Sequence, residues 1–447
     1  MATSTTLCDS PVSIEVRVKG TETVRPAGPT PRRTVWCANP DLLVPLTHTP
    51  TVYFYRPDGS PGFMDAAVLK SALAEVLMHF YPAAGRKRLD GDGRPEIDCN
   101  GEGVVFVEAE ASVGLEGFGD FGPENGPNFM QLVPRPAAFG SERDISACPF
   151  LLLQLTRFRC GGASLGVAFD HLVADGFAAL HLINSWADAA RRGGGGVPAT
   201  PPVIDRTVFA ARQPPVPSFP HPEYTAPPCL STPLEKEQPL VRTRFRLAPD
   251  EINRLKARGG VGGRCGSYEA IVAHVWRSVC IARELPAEQR TRLYMPLSVL
   301  RRVDPPLPPN YLGNALFSTV SEALAGAVTG DTVEQVVGRV RAALAKVDDA
   351  YVRSAVDYIE AQPVPERRRR GGSTYSSPNL NVNSWVQLPI YGADFGWGRP
   401  VFMGPARVLC EGMVYILPCP DPHDGLWVLL ALQKDAMKRF RKVFYDF

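Results

Sequence analysis

A proline-rich stretch near the middle of the chain limits the ways in which this sequence can fold. It begins with four consecutive glycines, residues 193–196, and runs to about residue 228 without the periodic apolar residues of a helix or strand. Such a segment predicts a crossover between two separately packed units. A chain of 447 residues also exceeds what one hydrophobic core usually holds. The sequence therefore predicts two domains, residues 1–200 and 231–447, with a linker at residues 201–230.

Both halves mix strand patterns with helix patterns. In the first half, residues 164–171 are predicted as a strand and residues 177–189 as a helix. In the second half, a strand at residues 240–247 precedes a helix at residues 249–258 and another that Ser267 caps. The order lacks the regular alternation of a doubly wound sheet, so the expected fold class is mixed α/β, that is α+β. Further predicted elements are a helix after Asp65, one helix from about 331 to 358, strands at 380–388, 412–417 and 426–432, and a last helix at 434–443.

The composition is that of a globular protein and argues against several function classes. Hydrophobic residues make up 45% and charged residues 21% of the chain, and the net charge of +2 gives no general case for binding nucleic acid or membranes. No apolar run reaches the length of a membrane-spanning helix, and residues 1–8 show no signal-peptide core. The ten cysteines lack metal-ligand spacing. We therefore expect reduced thiols, a cytoplasmic protein and no metal site.

The stretch at residues 168–177 carries the clearest chemical pattern. It places His171 after a strand pattern and Asp175 before a helix pattern, with Gly176 next. Strand ends are common positions for catalytic groups, and histidine is the usual general base near neutral pH. The same residues also fit a loop histidine and an aspartate that caps a helix. The spacing alone leaves both interpretations open.

Two other features suggest chemistry and have simpler explanations. Residues 162–166 match the G-x-S-x-G pattern of serine hydrolases, but a strand follows where the mechanism needs a helix, so we do not expect Ser164 to be a nucleophile. The run Arg367–Arg370 is the densest positive charge in the chain. It fits a solvated loop, or a contact with an anionic ligand such as a nucleotide phosphate.

A glycine-rich segment near the C-terminus predicts a tight, specific turn. Within it, Asp394, Gly396 and Gly398 alternate with the aromatic residues Phe395 and Trp397. Glycine permits backbone angles that other residues rarely adopt. We expect Asp394 to be a structural anion, and the candidate partner is an arginine, Arg302.

The two motifs His171-x-x-x-Asp175-Gly176 and Asp394-Phe395-Gly396-Trp397-Gly398 together resemble the plant BAHD acyltransferase family. Other segments, among them His48-Thr49-Pro50, resemble its hydroxycinnamoyl-CoA shikimate/quinate branch. The resemblance implies two chloramphenicol-acetyltransferase-like domains with a solvent channel between them. It also implies that acyl-CoA and a small-molecule acceptor enter from opposite sides, that no metal or cofactor is needed, and that the protein is a monomer.

The resemblance also implies roles for particular residues. His171 would be the general base, with Asp175 holding the loop and the orientation of the ring. Trp385, in the Ser384-Trp385 pair, would serve the oxyanion or the acceptor. The remaining assignments are Thr49, Thr51 and Tyr53 on the aromatic-acyl side, Asn383 and Gln387 on the acceptor side, and Ser267, Thr374 and Ser376 along the CoA channel.

The acceptor side departs from the pattern of this branch. Relatives usually carry Thr-Ser-Trp-x-Arg-Leu-Pro, where the arginine binds the acceptor carboxylate, but this chain has Asn383 and Gln387 at the first and fifth positions. A neutral amide cannot replace a bidentate arginine–carboxylate pair without loss, on the order of 2–5 kcal/mol if the pair is desolvated. Asp170 also stands where the branch often has a second histidine. Residues 296–301 stand where relatives often carry Asp-Gly-Arg-x-Arg.

The expected activity follows from these departures. We expect an acyl-CoA-dependent enzyme that moves a hydroxycinnamoyl or benzoyl group to an amine, such as tyramine or tryptamine, or to an uncharged alcohol. One alternative keeps shikimate or quinate as the acceptor, with Arg301 or another arginine reaching the carboxylate. An alternative of another class is a non-catalytic acyl-CoA binder on the same fold.

Overall fold

The computed structural model describes residues 14–43, 48–139, 146–194, 197–231, 238–260, 265–363 and 372–447. Its strands, in chain order, are β1 (Val16–Val24), β2 (Thr34–Trp36), β3 (His48–Tyr55), β4 (Arg86–Leu89), β5 (Pro95–Asp98), β6 (Val104–Ala111), β7 (Leu151–Arg157), β8 (Ala163–Asp170), β9 (Leu240–Leu247), β10 (Arg290–Ser298), β11 (Leu316–Leu324), β12 (Leu380–Ser384), β13 (Phe402–Pro405), β14 (Met413–Pro418) and β15 (Leu426–Gln433). Its helices are α1 (Asn39–Leu43), α2 (Ala66–Val76), α3 (Gly126–Phe129), α4 (Gly176–Arg191), α5 (Pro249–Gly259), α6 (Ser267–Ala282), α7 (Ala325–Gly330), α8 (Val333–Ala345), α9 (Asp349–Glu360) and α10 (Lys434–Val443).

The first large sheet has six strands in the order β1-β6-β7-β8-β3-β13. Helices α2 and α4 pack on one face, and an aromatic cluster around Phe54 fills the other. Strand β8 is buried along its whole length, because both faces of the sheet are covered. The strand ends at Asp170, so His171 lies where the chain leaves the sheet and turns into α4.

The second large sheet has six strands in the order β11-β10-β12-β14-β15-β9. Helices α5, α6, α8 and α10 cover one face and form an apolar core around Trp276. The opposite face carries a smaller cluster that includes Met413 and the half-buried rings of Trp385 and Tyr415. Strands β2, β5 and β4 form a separate three-stranded sheet. Among the described residues, no helix combines the length and the apolar character needed to cross a bilayer.

Strand β13 belongs to the second half of the sequence but lies in the first sheet. It runs antiparallel to β3, with Met403 opposite Tyr53 and Pro405 opposite Thr51. The segment after the Asp394 turn therefore belongs to the same sheet as β8, the strand that precedes His171. The domain boundaries at residues 200 and 231 stay a prediction.

The predicted linker is fastened to α9 over part of its length. The carboxylate of Asp357 accepts the N–H groups of Arg212 and Val216, each at 2.9 Å. The hydroxyl of Ser354, three residues earlier on the same helix face, accepts the N–H of Ser218 at 2.8 Å. His221 donates to or accepts from the same hydroxyl at 2.9 Å. This part of the crossover is therefore held against α9 by hydrogen bonds.

The helix predicted at residues 331–358 is two helices, α8 and α9. The side chain of Asp348 accepts the N–H of Tyr351 at 2.9 Å, so it caps a new helix and ends the old one. The N-cap of the first helix is Thr332, whose hydroxyl accepts from the amide of Gln335.

Two further predictions differ at the ends of elements. The cap of α6 is Gly266, whose N–H donates to Glu269 at 3.2 Å, while Ser267 is the first helical residue. The strand predicted at residues 380–388 ends at Ser384, because the chain turns there.

Candidate active site

His171 is the first residue after β8, and its side chain is half-buried. The buried strand on one side and the capped helix α4 on the other fix the short loop that carries it. Catalytic groups gain accuracy from such rigid neighbours. The predicted strand–histidine–helix arrangement is confirmed.

The three predicted acyl-side residues lie on one face of β3. The antiparallel register places Thr49 opposite Phe169, two residues before His171. Side chains on a strand alternate between faces, so Thr51 and Tyr53 point to the same side as Thr49. Both threonines are half-buried, whereas Tyr53 is 1% exposed. The strand therefore presents two hydroxyls near the histidine and a buried ring farther away.

The imidazole of His171 is hydrogen-bonded to Asn314. Nδ1 of the ring lies 2.9 Å from Oδ1 of the asparagine, which is wholly buried. Nδ2 of Asn314 donates to Oδ1 of Asp41 and to the backbone carbonyl of His171, each at 2.8 Å. Because both partners of Nδ2 are acceptors, the amide oxygen must face the ring, and it accepts from Nδ1–H. Nε2 then keeps its lone pair.

Behind Asn314 lies a buried ion pair between Asp41 and Arg206. Oδ2 of the carboxylate accepts from Nη1 of the guanidinium at 2.8 Å. The same guanidinium donates to the carbonyls of Leu172 at 3.1 Å and Val173 at 2.7 Å, directly after the histidine. Burial opposes the charge of Arg206, but Asp41 raises the arginine pKa above its ordinary value. The pair therefore holds both the asparagine and the loop.

Asp175 caps α4 and faces away from the imidazole. Its Oδ1 accepts the N–H of Ala178 and its Oδ2 the N–H of Ala315, each at 3.0 Å. Its own amide donates to the carbonyl of Gly313 at 3.1 Å. Burial raises the pKa of this carboxyl, and the two amides oppose the shift. Asp175 thus fixes the segment that carries Asn314, so any effect on the ring is indirect.

The turn after β12 packs against the start of α4. The N–H of Trp385 donates to the carbonyl of Ile416 at 2.8 Å, and the indole meets Tyr415 edge-on with ring centroids 5.4 Å apart. A Cβ added to Gly176 would lie 3.1 Å from Cδ1 of Leu388. The glycine after Asp175 therefore allows this turn to approach the loop of the histidine. The role of Trp385 in stabilising an oxyanion stays a prediction.

The two predicted acceptor residues differ in exposure. Asn383 is half-buried, and its Nδ2 lies 3.1 Å from the sulfur of Met413. Gln387 is exposed in the turn beyond Trp385. An exposed side chain interacts with a charged ligand through solvent, so its replacement matters less than that of a desolvated partner.

The predicted CoA-side residues lie at opposite ends of one helix. Ser267 is the first residue of α6. The loop that contains Thr374 and Ser376 lies at the other end of this helix. There its backbone donates to Glu411, and Glu411 pairs at 2.7 Å with Arg283, the residue that follows α6. A helix of 16 residues is about 24 Å long. The structure therefore does not gather these residues into one cluster. The Arg367–Arg370 run lies outside the described residues.

The predicted pair between Asp394 and Arg302 is wrong. Oδ1 of Asp394 accepts the N–H groups of Gly396 at 2.9 Å and Gly398 at 3.0 Å, within its own turn. Arg302 instead donates to two backbone carbonyls at the end of α8, each at 2.8 Å. Both glycines have positive φ, 105° and 98°, which explains why the turn needs them. Asp394 is a structural anion that binds amides.

Ser164 is placed as the sequence indicated. It lies within β8 and is fully buried, where no substrate carbonyl could meet its hydroxyl. The match to the serine hydrolase pattern has no catalytic meaning here.

Sequence reasoning assigned no role to Asp41, Asn314 or Arg206. The hydrogen bond from Asn314 to Asp41 joins residues 273 positions apart, and that from His171 to Asn314 spans 143 positions. Neither asparagine nor aspartate stands in a recognisable motif there. Only the fold brings these groups together.

The chain is similar to known proteins of one family along almost its whole length. The sequence profile of the Transferase family matches residues 14–447. The chain is 46% identical to shikimate O-hydroxycinnamoyltransferase of Nicotiana tabacum over 444 residues, covering 97% of this chain and 100% of that protein. It is 44% identical to hydroxycinnamoyl-CoA:5-hydroxyanthranilate N-hydroxycinnamoyltransferase HHT1 of Avena sativa, covering 97% of this chain and 100% of that protein.

A solved structure shows the same fold. The crystal structure of vinorine synthase superposes with a TM-score of 0.72 at 24% sequence identity, covering 95% of this chain and 96% of that one. The expected mixed α/β fold of two chloramphenicol-acetyltransferase-like domains is confirmed. This chain therefore belongs to the Transferase family of BAHD acyltransferases, and it is an enzyme that transfers acyl groups other than aminoacyl groups.

Proposed function

We propose that this chain transfers a hydroxycinnamoyl or benzoyl group from CoA to an amine, such as tyramine or tryptamine, or to an uncharged alcohol, with His171 as general base. The observation that carries the proposal is the hydrogen bond between Nδ1 of His171 and the buried oxygen of Asn314. It leaves the lone pair of Nε2 free to accept a proton.

The reaction follows from that free nitrogen. Nε2 takes the proton from the acceptor O–H or N–H while the acceptor oxygen or nitrogen attacks the thioester carbon. The resulting oxyanion needs a nearby donor, and the indole N–H of Trp385 is the candidate. The C–S bond then breaks, and the imidazolium returns the proton to the thiolate. The products are an ester or amide and CoA with a free thiol, without a covalent enzyme intermediate.

The groups behind the ring stabilise the protonated imidazole only modestly. The ring keeps its hydrogen bond to Asn314 when it becomes positive, and Asp41 lies one hydrogen bond beyond. The charge of Asp41 is already balanced by Arg206 at 2.8 Å. The network therefore serves mainly to fix the tautomer and the direction of Nε2.

The acceptor is the finer part of the proposal. The two relatives named above transfer to a hydroxyl and to an amine, by their names, so relatedness alone does not choose between these groups. The neutral Gln387 in place of an arginine favours an acceptor without a carboxylate. Because Gln387 is exposed, we expect the preference to rest on about 1 kcal/mol from this residue and not on the several kcal/mol of a buried pair.

A second candidate is transfer to shikimate or quinate. Identity of 46% with a shikimate O-hydroxycinnamoyltransferase over its whole length favours it. Arg301, which is exposed in the turn after β10, or another arginine would have to meet the carboxylate.

An acceptor panel separates these possibilities. Purified protein would be incubated with p-coumaroyl-CoA or benzoyl-CoA and with tyramine, tryptamine, glycerol or shikimate at equal concentrations, and free thiol would be measured. We expect faster release with an amine or glycerol than with shikimate. The reverse order would establish the second candidate. Tight binding of the CoA esters, with no release of CoA thiol in the presence of any acceptor, would indicate a non-catalytic binder.

A further inference from the structure

Lys87 of β4 and Asp170 at the end of β8 form an ion pair that solvent hardly reaches. Nζ lies 2.8 Å from Oδ2, and the side chains are 9% and 4% exposed. Removing two charges from water costs several kcal/mol per ion, so such a pair is a poor source of stability by itself. Its place directly before His171 in the chain indicates a different role.

The second oxygen of Asp170 binds the backbone around the histidine. Oδ1 accepts the N–H of Leu172 at 2.9 Å. That N–H belongs to the peptide unit whose carbonyl, on His171, accepts from Asn314 at 2.8 Å. Both polar groups of this one peptide are therefore held by buried side chains, the carbonyl from one side and the amide from the other. The plane of the peptide fixes the direction in which the imidazole leaves the backbone.

Lys87 is the cation that faces Asp170 in this buried place. Besides Lys87, the titratable groups that interact with the carboxylate include His48, which faces it across the strands, Cys148, whose sulfur lies 4.0 Å from Nε2 of His48, and the buried Cys37. Burial lowers the pKa of His48, although Asp170 opposes the shift, and burial raises the pKa of Cys148. The lowered pKa disfavours a positive charge on His48, and a cysteine thiol carries none, so Lys87 is the cation that balances Asp170.

We propose that the Lys87–Asp170 pair is a positioning device for His171, which holds the peptide after it so that Nε2 points to the acceptor. This inference rests on the proposed role of His171 as general base. Neither residue touches a substrate in this account. Their loss should lower kcat and leave the KM for acyl-CoA nearly unchanged, because the distance and angle of proton transfer change and the CoA contacts do not.

Two double variants isolate the hydrogen bond from the buried charge. Lys87→Met/Asp170→Asn removes both charges but keeps an amide oxygen for Leu172, whereas Lys87→Met/Asp170→Ala removes both charges and the acceptor. We expect the second double variant to have a kcat at least about tenfold below that of the first, with equal KM for p-coumaroyl-CoA. We also expect the Lys87→Met single variant to be slower than the first double variant, because it leaves a buried carboxylate without its cation. Lys70→Met, which breaks an ion pair between α2 and Glu22, is the control and should keep the kcat of the native protein.

A readout that does not need turnover tests the device separately. In protein labelled with ¹⁵N-histidine, the first double variant should keep the native ring-nitrogen signals of His171, and the second should lose the single Nδ1–H pattern. If the two double variants have the same kcat and the same ring signals, the positioning role is wrong. If the native protein turns over no acceptor, the proposed function fails while the comparison of ring signals still decides this inference.

Discussion

The groups behind the imidazole of His171 are buried, whereas the turn after β12 is open to solvent. Asn314 and Asp41 are 0% exposed and Arg206 is 2% exposed. On the other side, Trp385 is half-buried and Gln387 is exposed. Buried hydrogen-bonded groups tolerate little change, while exposed positions can change at small cost in stability. The comparison suggests that evolution of the acceptor preference can proceed without disturbing the base.

The departures from the family pattern support this division. Gln387 lies on the open side, and nothing described around it depends on its identity. On the buried side, Asp170 also departs from the pattern, but there Lys87 lies 2.8 Å away and balances the charge. The buried departure, Asp170, has a charged partner in Lys87, whereas the exposed departure, Gln387, is described without one.

The largest effect is expected from His171→Ala, which removes the base itself. General-base catalysis contributes on the order of 10²–10⁴-fold, so kcat should fall by that factor, and the unpaired oxygen of Asn314 should lower the free energy of unfolding by about 1–3 kcal/mol. Steady-state thiol release and a thermal unfolding curve check both parts. Native turnover in this variant would show that His171 is not the general base.

The next effect concerns folding and not turnover. Arg206→Met leaves the carboxylate of Asp41 buried without its cation, and breaking such a pair costs on the order of 3–5 kcal/mol. We expect the urea midpoint to fall accordingly. Arg301→Met, at an exposed arginine, is the matched control and should unfold like the native protein. Equal urea midpoints for the two variants would show that the buried groups contribute no more to stability than an exposed arginine does.

A smaller loss of activity is expected from Asn314→Leu. The variant removes the acceptor of Nδ1–H, so the ring can adopt the other tautomer, and an unmade hydrogen bond of a buried group costs about 1–3 kcal/mol. We expect kcat to fall roughly 5- to 150-fold, with little change in the KM for acyl-CoA. Asn310→Leu, at a half-buried asparagine of the same segment whose amide donates to the carbonyl of Pro201 and not to the site, serves as the control. Equal kcat in both variants would contradict the assignment of the tautomer to Asn314.

The smallest effect is expected in the open turn. Gln387→Arg adds a cation in the turn after β12, and an exposed pair with the shikimate carboxylate is worth about 1 kcal/mol at most. Shikimate turnover should rise no more than about fivefold, and stability should not change. Gln213→Arg adds the same charge in the linker and controls for a general effect of charge. A gain of several hundredfold in shikimate turnover would mean that position 387 is desolvated in the complex, so that the turn is not open to solvent when substrate is bound.

The sequence predicts the elements that are fixed by local patterns. Strand β8, helix α4 and the N-cap Asp175 follow from an apolar run, a helical period and a capping residue within 30 positions of each other. Strand β9 matches its prediction from Leu240 to Leu247, and the last helix from 434 to 443 also agrees. The excluded nucleophile Ser164 belongs here too, because burial in a strand could be expected from its neighbours.

The elements that sequence reasoning missed depend on distant partners. Strand β11 carries polar residues such as Ser318 and Thr319 and becomes a strand by pairing with β10 along nine positions. Strand β13 has four residues, too few for a pattern, and is held by β3. The same holds for the site, where Asn314 reaches Asp41 over 273 positions. Local propensity contains no information about such contacts.

The tautomer of His171 tests the central claim most directly. In protein labelled with ¹⁵N-histidine near neutral pH, the ring signals of His171, assigned by their absence in His171→Gln, should be those of a neutral imidazole with its proton on Nδ1. Signals of the tautomer with the proton on Nε2 would contradict the account, because that nitrogen could then not take the proton from the acceptor.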